Sequence, residues 1–120
     1  MKKKYLCSKC NELALEVYDS VNPNNGSQEV VITDSLGLET IYVTLKNKEE
    51  AKIVESMSPE ILNEYLIKKT REKEAYSPYG LNLYCKDCKK IYCQKHYRGA
   101  IFESETRYKC PNGHEKTLRD

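Results

Sequence analysis

Apolar and polar residues alternate in the rhythm of strands over the first third of the chain, then switch to the rhythm of helices. Leu13, Leu15 and Val17 are separated by single residues, which predicts a strand from Leu13 to about Asp19. Asn22-Pro23-Asn24-Asn25-Gly26-Ser27 reads as a loop turning at Asn25-Gly26. A second strand is predicted over Glu29–Thr33, then a tight turn at Asp34-Ser35-Leu36-Gly37 and a third strand over Leu38–Leu45. In that third strand Ile41, Val43 and Leu45 share one face, with Tyr42 and Thr44 on the other. The three make an antiparallel meander with one apolar face.

From about Lys48 the spacing becomes helical. Ala51, Val54 and Met57 mark a short helix. Ser58-Pro59-Glu60 then supplies a cap, a proline suited to the first helical position and an acid that complements the dipole. Ile61, Leu62, Tyr65 and Leu66 form the apolar stripe of this second helix. Its charged end, Lys68 to Glu74, reads as solvated, and Ser77-Pro78-Tyr79-Gly80 closes it. The two helices are expected to cover the meander. Beyond Leu81, short strand-like pieces (Leu81–Tyr84, Ile91–Tyr92, Thr106–Lys109) each lead into a cysteine.

Those cysteines change the picture. All six Cys and both His of the 120 residues fall into four close pairs: Cys7/Cys10, Cys85/Cys88, Cys93/His96 and Cys110/His114. A Cys-x-x-Cys knuckle turns the backbone so that both sulfurs face one cation, and tetrahedral Zn²⁺ needs two pairs to close a site. Four pairs close two Cys₃His sites with no ligand left over, so two structural Zn²⁺ ions are expected. A disulfide framework and iron–sulfur chemistry are the competing uses of such cysteines.

Composition points the same way. Apolar residues make up 39% and charged residues 32% of the chain, with one Phe and no Trp, so ten Tyr must supply the aromatic bulk. A core this lean gains from metal, whose apparent binding energy of about 10 kcal/mol is folding energy. The net charge of +2 is unevenly placed: residues 1–10 carry +4, 11–67 carry −8, 68–84 carry +2 and 85–120 carry +4. Two dications on six thiolates bring the loaded protein near neutrality, so part of the lysine content balances anionic sites.

Closing Cys85/Cys88 with Cys93/His96 is cramped, since four residues separate the pairs. Interleaving relieves this; the sequential grouping, with Cys7/Cys10 joined to Cys110/His114, is the alternative. The order of pairs, with its four-residue link, is similar to cross-brace fingers of the RING, PHD and FYVE kind. That resemblance implies one site of Cys7, Cys10, Cys93 and His96 and another of Cys85, Cys88, Cys110 and His114. It covers residues 1–10 and 85–114 and departs in the 74 residues, 11–84, between its first two pairs. FYVE-type basic lipid motifs are absent, and no ubiquitin-ligase or histone-reading residue can be named. The expected fold is therefore α+β, one domain over residues 1–120. A meander and two helices (11–84) are inserted between the halves (1–10 and 85–120) of a two-zinc, ribbon-like module.

Function is less directly written. Two filled sites leave no open coordination position, and neither His-Glu-x-x-His nor the deaminase pattern occurs. With both histidines on metal, no imidazole is left as a base, and Glu49, Glu50, Glu55, Glu60 and Glu64 read as a solvated helical face. An enzyme is not expected. A protein-interaction module is: the acidic segment suits a basic partner, and small acidic-faced proteins without catalytic residues include inhibitors such as toxin-neutralising immunity proteins. Nucleic-acid binding is the alternative, through Lys86, Lys89, Lys90, Tyr92, Lys95, Tyr97 and Arg98. Tyrosines that pack a zinc core would have the same composition. The lysines at the start have no apolar h-region after them, no segment approaches transmembrane length and reduced thiols suit the cytoplasm, so a cytoplasmic protein without membrane partners is expected.

Overall fold

The computed structural model describes residues 1–35, 39–76, 80–99 and 107–117. Four antiparallel strands, β1 (Lys2–Leu6), β2 (Leu13–Val21), β3 (Gln28–Asp34) and β4 (Thr40–Thr44), form a sheet in sequence order. The expected meander is thus β2–β4, and β1 is an addition to it. The Lys2–Lys4 run is an edge strand in register with β2, Lys3 opposite Val17 and Tyr5 opposite Leu15. Lysines suit an edge because charged side chains discourage further pairing. Tyr5 turns inward, 5% exposed, and its hydroxyl donates to the Met57 carbonyl at 2.8 Å.

The other strands follow the alternation. Val17, Ile32 and Ile41 lie in one cross-strand row and Val30 and Val43 in the next, all buried. Gly26 takes the left-handed conformation (φ 71°) at the predicted turn, where its N–H donates to the Asn22 carbonyl at 2.8 Å. Ile41, Val43 and Leu45 are buried while Tyr42 and Thr44 are exposed, as the sequence requires. Residues 36–38, including the expected Leu36-Gly37 turn and the predicted start of the third strand, lie outside the described residues, as do Ser77, Pro78 and Tyr79.

Helix α1 (Lys48–Glu55) is capped by Asn47, whose side-chain oxygen accepts from Glu50 N at 3.0 Å. Helix α2 (Pro59–Arg71) is capped by Ser58, with Pro59 in its first turn. Ala51 and Val54 of α1 are buried, as are Leu62 and Leu66 of α2. Each leucine contributes about 1.5–3 kcal/mol by its burial. Two expectations need correction here. Ile61 is 47% exposed, because the buried stripe runs Leu62–Leu66–Lys69. And the charged end of α2 is not wholly solvated: Lys69 is 3% exposed, held by Glu50, Glu74 and the Thr44 carbonyl.

After α2 the chain pairs briefly with β4 at Val43–Ala75. It then makes two small sheets: β5 (Tyr84–Cys85) with β6 (Lys90–Ile91), and β7 (Arg98–Gly99), β8 (Arg107–Lys109) and β9 (Glu115–Thr117). The fold is thus α+β, a four-stranded antiparallel sheet with two helices. One contiguous core joins Val17, Ile32, Val54 and Leu66 to Leu83, Ile91, Tyr97 and Tyr108. β5 and β6 pack against α2, and residues of both small sheets share the core of the larger one. No helix among the described residues is long and apolar enough to cross a membrane.

Candidate metal centres

Each Cys/Cys or Cys/His pair sits on a turn that the local sequence enforces. Cys7 leaves β1 just after a register shift at Tyr5/Leu6, and Asn11 (φ 64°) closes its knuckle by donating to the Cys7 carbonyl at 2.9 Å. Cys85/Cys88 is the turn between β5 and β6, with Lys89 left-handed at φ 56°. Cys93 precedes a 3₁₀ turn, Gln94–His96, which brings the imidazole back beside the sulfur. Cys110/His114 links β8 to β9, and Gly113 (φ 87°) donates to the Cys110 carbonyl at 2.9 Å. Glycine fits there because a Cβ would strain that φ.

The turns converge into two clusters, Cys7, Cys10, Cys93 and His96 in one and Cys85, Cys88, Cys110 and His114 in the other. Within each, one donor atom per residue lies within 4.8 Å of every other. This is the interleaved grouping, not the sequential one. Cys10 Sγ lies 3.5 Å from Cys93 Sγ, and Cys88 Sγ 3.8 Å from Cys110 Sγ. His114 Nδ1 is 3.6, 3.1 and 3.4 Å from the sulfurs of Cys85, Cys88 and Cys110. A disulfide needs sulfurs at about 2.05 Å. A tetrahedron with metal–sulfur bonds of about 2.3 Å and metal–nitrogen bonds of about 2.05 Å has edges of about 3.8 and 3.6 Å. The measured separations fit the second case and not the first, and all six cysteines are free thiols. His96 Nε2 is buried with no hydrogen-bond partner among the described residues. The donor sets fit a metal ion.

Electrostatics within the clusters is uneven. The Tyr92 hydroxyl and the Asn112 amide hydrogen-bond to the Cys88 sulfur and lower its pKa to about 6. Burial pushes Cys85 up to about 11 and Cys93 up to about 12. For Cys7 burial acts upward, but the backbone N–H groups of Cys93, Cys10 and Lys9 outweigh it and the thiol falls to about 7. Each cluster therefore holds a thiol ready to ionise beside one that resists. A divalent cation removes that difference, because a coordinating thiol is deprotonated outright.

Several supporting groups were not singled out by the sequence. Asn112 Nδ2 donates to Cys88 Sγ at 3.2 Å and to the Tyr92 hydroxyl at 3.3 Å. Its place inside the Cys-Pro-Asn-Gly-His turn was the available signal. Glu12 pairs with Lys95 beside the first cluster, and this ion pair lowers the Glu12 pKa.

The residues considered for nucleic-acid contact divide sharply. Tyr92 and Tyr97 are 4% and 8% exposed and meet edge-to-face at 6.2 Å. Tyr97 meets Tyr108 likewise at 5.5 Å and donates to the Leu83 carbonyl at 2.6 Å. These rings are core, not a platform for bases, which corrects their candidacy as stacking residues. Lys86, Lys89 and Lys90 are exposed; Lys95 is tied to Glu12; the side chain of Arg98 lies outside the described residues. Among the carboxylates read as a solvated face, Glu50 is an exception, its side chain 15% exposed and bound by Lys69 and Tyr65.

No curated protein matches the chain, and no solved structure does either. A family model described as "Domain of unknown function (DUF8328)" matches residues 1–120, and the chain belongs to that family.

Proposed function

We propose that the protein is a non-enzymatic interaction module whose fold is held by two structural Zn²⁺ ions, one in each Cys₃His cluster. The observation that carries this reading is the pair of four-donor clusters at tetrahedral spacing, which engages every Cys and His of the chain. Zn²⁺ fits three thiolates and one imidazole better than a hard oxygen-seeking cation does. With four protein donors per ion no position is left for water or substrate, which is how structural zinc differs from catalytic zinc. Free thiols at metal spacing suit a reducing compartment, and we place the protein in the cytoplasm.

Partner chemistry turns on which charges stay available. Of the acids in the −8 segment, Glu12, Glu16 and Glu50 are in ion pairs, and Glu29 and Asp34 are buried. A basic protein partner therefore finds less acidic surface than the sequence suggests. Cobalt(II) substitution tests the closed, non-catalytic character. The expected result is two tetrahedral thiolate spectra per chain that added imidazole or cyanide leaves unchanged. A spectrum that shifts on adding either ligand means an open position and contradicts the reading.

A further inference from the structure

The first Cys-x-x-Cys turn and the β5–β6 turn bring four lysines to the neighbourhood of one backbone contact. Ser8 N donates to the Ile91 carbonyl at 2.9 Å, so Lys9 and Lys90, their immediate neighbours, flank the same seam. Lys86 and Lys89 stand on the Cys85–Lys90 turn that continues it. All four are exposed, and none is in an ion pair among the described residues. They are not clamped on the thiolates either. The sulfurs take hydrogen bonds from backbone N–H groups, from the Tyr92 hydroxyl and from Asn112 Nδ2, and from no lysine ammonium among the described residues.

We infer that this lysine seam (Lys9, Lys86, Lys89, Lys90) is a docking surface for the phosphate backbone of a nucleic-acid duplex, read by charge and not by base. The inference deepens the interaction-module reading and rests on it, since the first zinc site fixes Lys9 beside Lys90. The apolar residues that flank the turn (Tyr84, Ile91, Tyr92) are buried, and the exposed residue between Lys86 and Lys89 is Asp87, so the seam offers charge without exposed rings. A membrane interface wants exposed apolar anchors, and protein interfaces are depleted in lysine and built on aromatic anchors. Single-strand binders stack bases on exposed rings, and here the rings are inside. Phosphate contact by lysine needs none of these.

The test is a titration of the zinc-loaded full chain with a short labelled duplex of arbitrary sequence at several salt concentrations, with zinc content measured on the same sample. Four phosphate contacts predict weak binding, with Kd on the order of 10⁻⁴–10⁻⁶ M and a slope of log K against log salt near about −3.6. The double variant Lys89→Asn/Lys90→Gln, with Asn chosen because it tolerates the left-handed φ at 89, is expected to keep both zincs and to reduce that slope by about 2. Two zincs with no salt-dependent duplex binding overturns this inference and leaves the proposed function standing. So does binding that the double variant leaves intact, a single strand preferred about tenfold over duplex, or equal binding to anionic vesicles. Fewer than two zincs contradicts the proposed function itself.

Discussion

Lys69 Nζ lies 2.5 Å from Glu50 Oε1 in a setting where the lysine side chain is 4% and the glutamate 15% exposed. The same ammonium reaches Glu74 at 2.7 Å and the Thr44 carbonyl at 3.3 Å, while the Tyr65 hydroxyl donates to Glu50 at 2.8 Å. One cation thus joins α1, α2, β4 and the segment after α2, away from both Cys₃His clusters in sequence.

Removing that cation strands two carboxylates. Lys69→Met keeps the volume of the stem but leaves Glu50 and Glu74 without their partner, and we expect a loss of about 3–5 kcal/mol in urea unfolding of the zinc-loaded protein. Zinc content is expected to stay at two. A loss under about 1 kcal/mol would mean the cluster contributes no more than a surface pair.

The same cluster sets a pH dependence. Burial acts upward on the Glu50 carboxyl, but Lys46 N–H, Lys69 and Tyr65 prevail and hold it below its ordinary 4.5. A depressed carboxyl pKa stabilises the fold above the unfolded value and loses that contribution as pH falls through the folded one. The stability gap between wild type and Glu50→Gln is therefore expected to be flat from neutral pH down to about 4.5 and to shrink below it. Comparing the two proteins cancels the acid sensitivity of the Cys₃His clusters they share. A gap that widens on acidification contradicts this sign.

Asn112 touches a cluster sulfur without being one of the eight Cys and His donors. Asn112→Ala removes the N–H···S bond to Cys88 and the contact with Tyr92, and a 10–100-fold fall in zinc affinity at the second site is expected. Competition with a chromophoric chelator should show one weakened and one unchanged site. Equal weakening of both would assign Asn112 a general structural role instead.

Two left-handed glycines separate backbone cost from steric cost. A Cβ at Gly113 (φ 87°) meets nothing within 4 Å, so Gly113→Ala is expected to cost about 1–2 kcal/mol. A Cβ at Gly80 (φ 76°) would overlap the side-chain oxygen of buried Asn63, which accepts from Leu81 N at 2.7 Å. Gly80→Ala is expected to exceed the Gly113 cost by a further ~1–3 kcal/mol, the range for unpairing a buried polar group. Thermal unfolding of the two variants measures the difference.

What could be read in advance was whatever depends on spacing along the chain. The pairing of the eight Cys and His residues, the Asn25-Gly26 turn, the Ser58 cap and the alternation through Ile41, Val43 and Leu45 are local signals. β1 was not legible because Lys2, Lys3 and Lys4 carry no alternation and only Tyr5 is buried, so its strand character comes from pairing with β2. The burial of Lys69 was not legible because two of its three partners are distant, Glu50 19 residues before it and the Thr44 carbonyl on β4, with Glu74 alone close by in sequence. The tyrosines were ambiguous for a different reason, since a stacking platform and a zinc-lobe core share one composition and only burial distinguishes Tyr92 and Tyr97.

The central claim, two structural zinc ions holding one fold, is tested most directly by native mass spectrometry of the purified chain, followed by unfolding with a strong chelator. The account predicts two zinc ions per chain and loss of tertiary structure on their removal, reversed by adding zinc back. Fewer than two ions, or a fold that survives complete chelation unchanged, would contradict it.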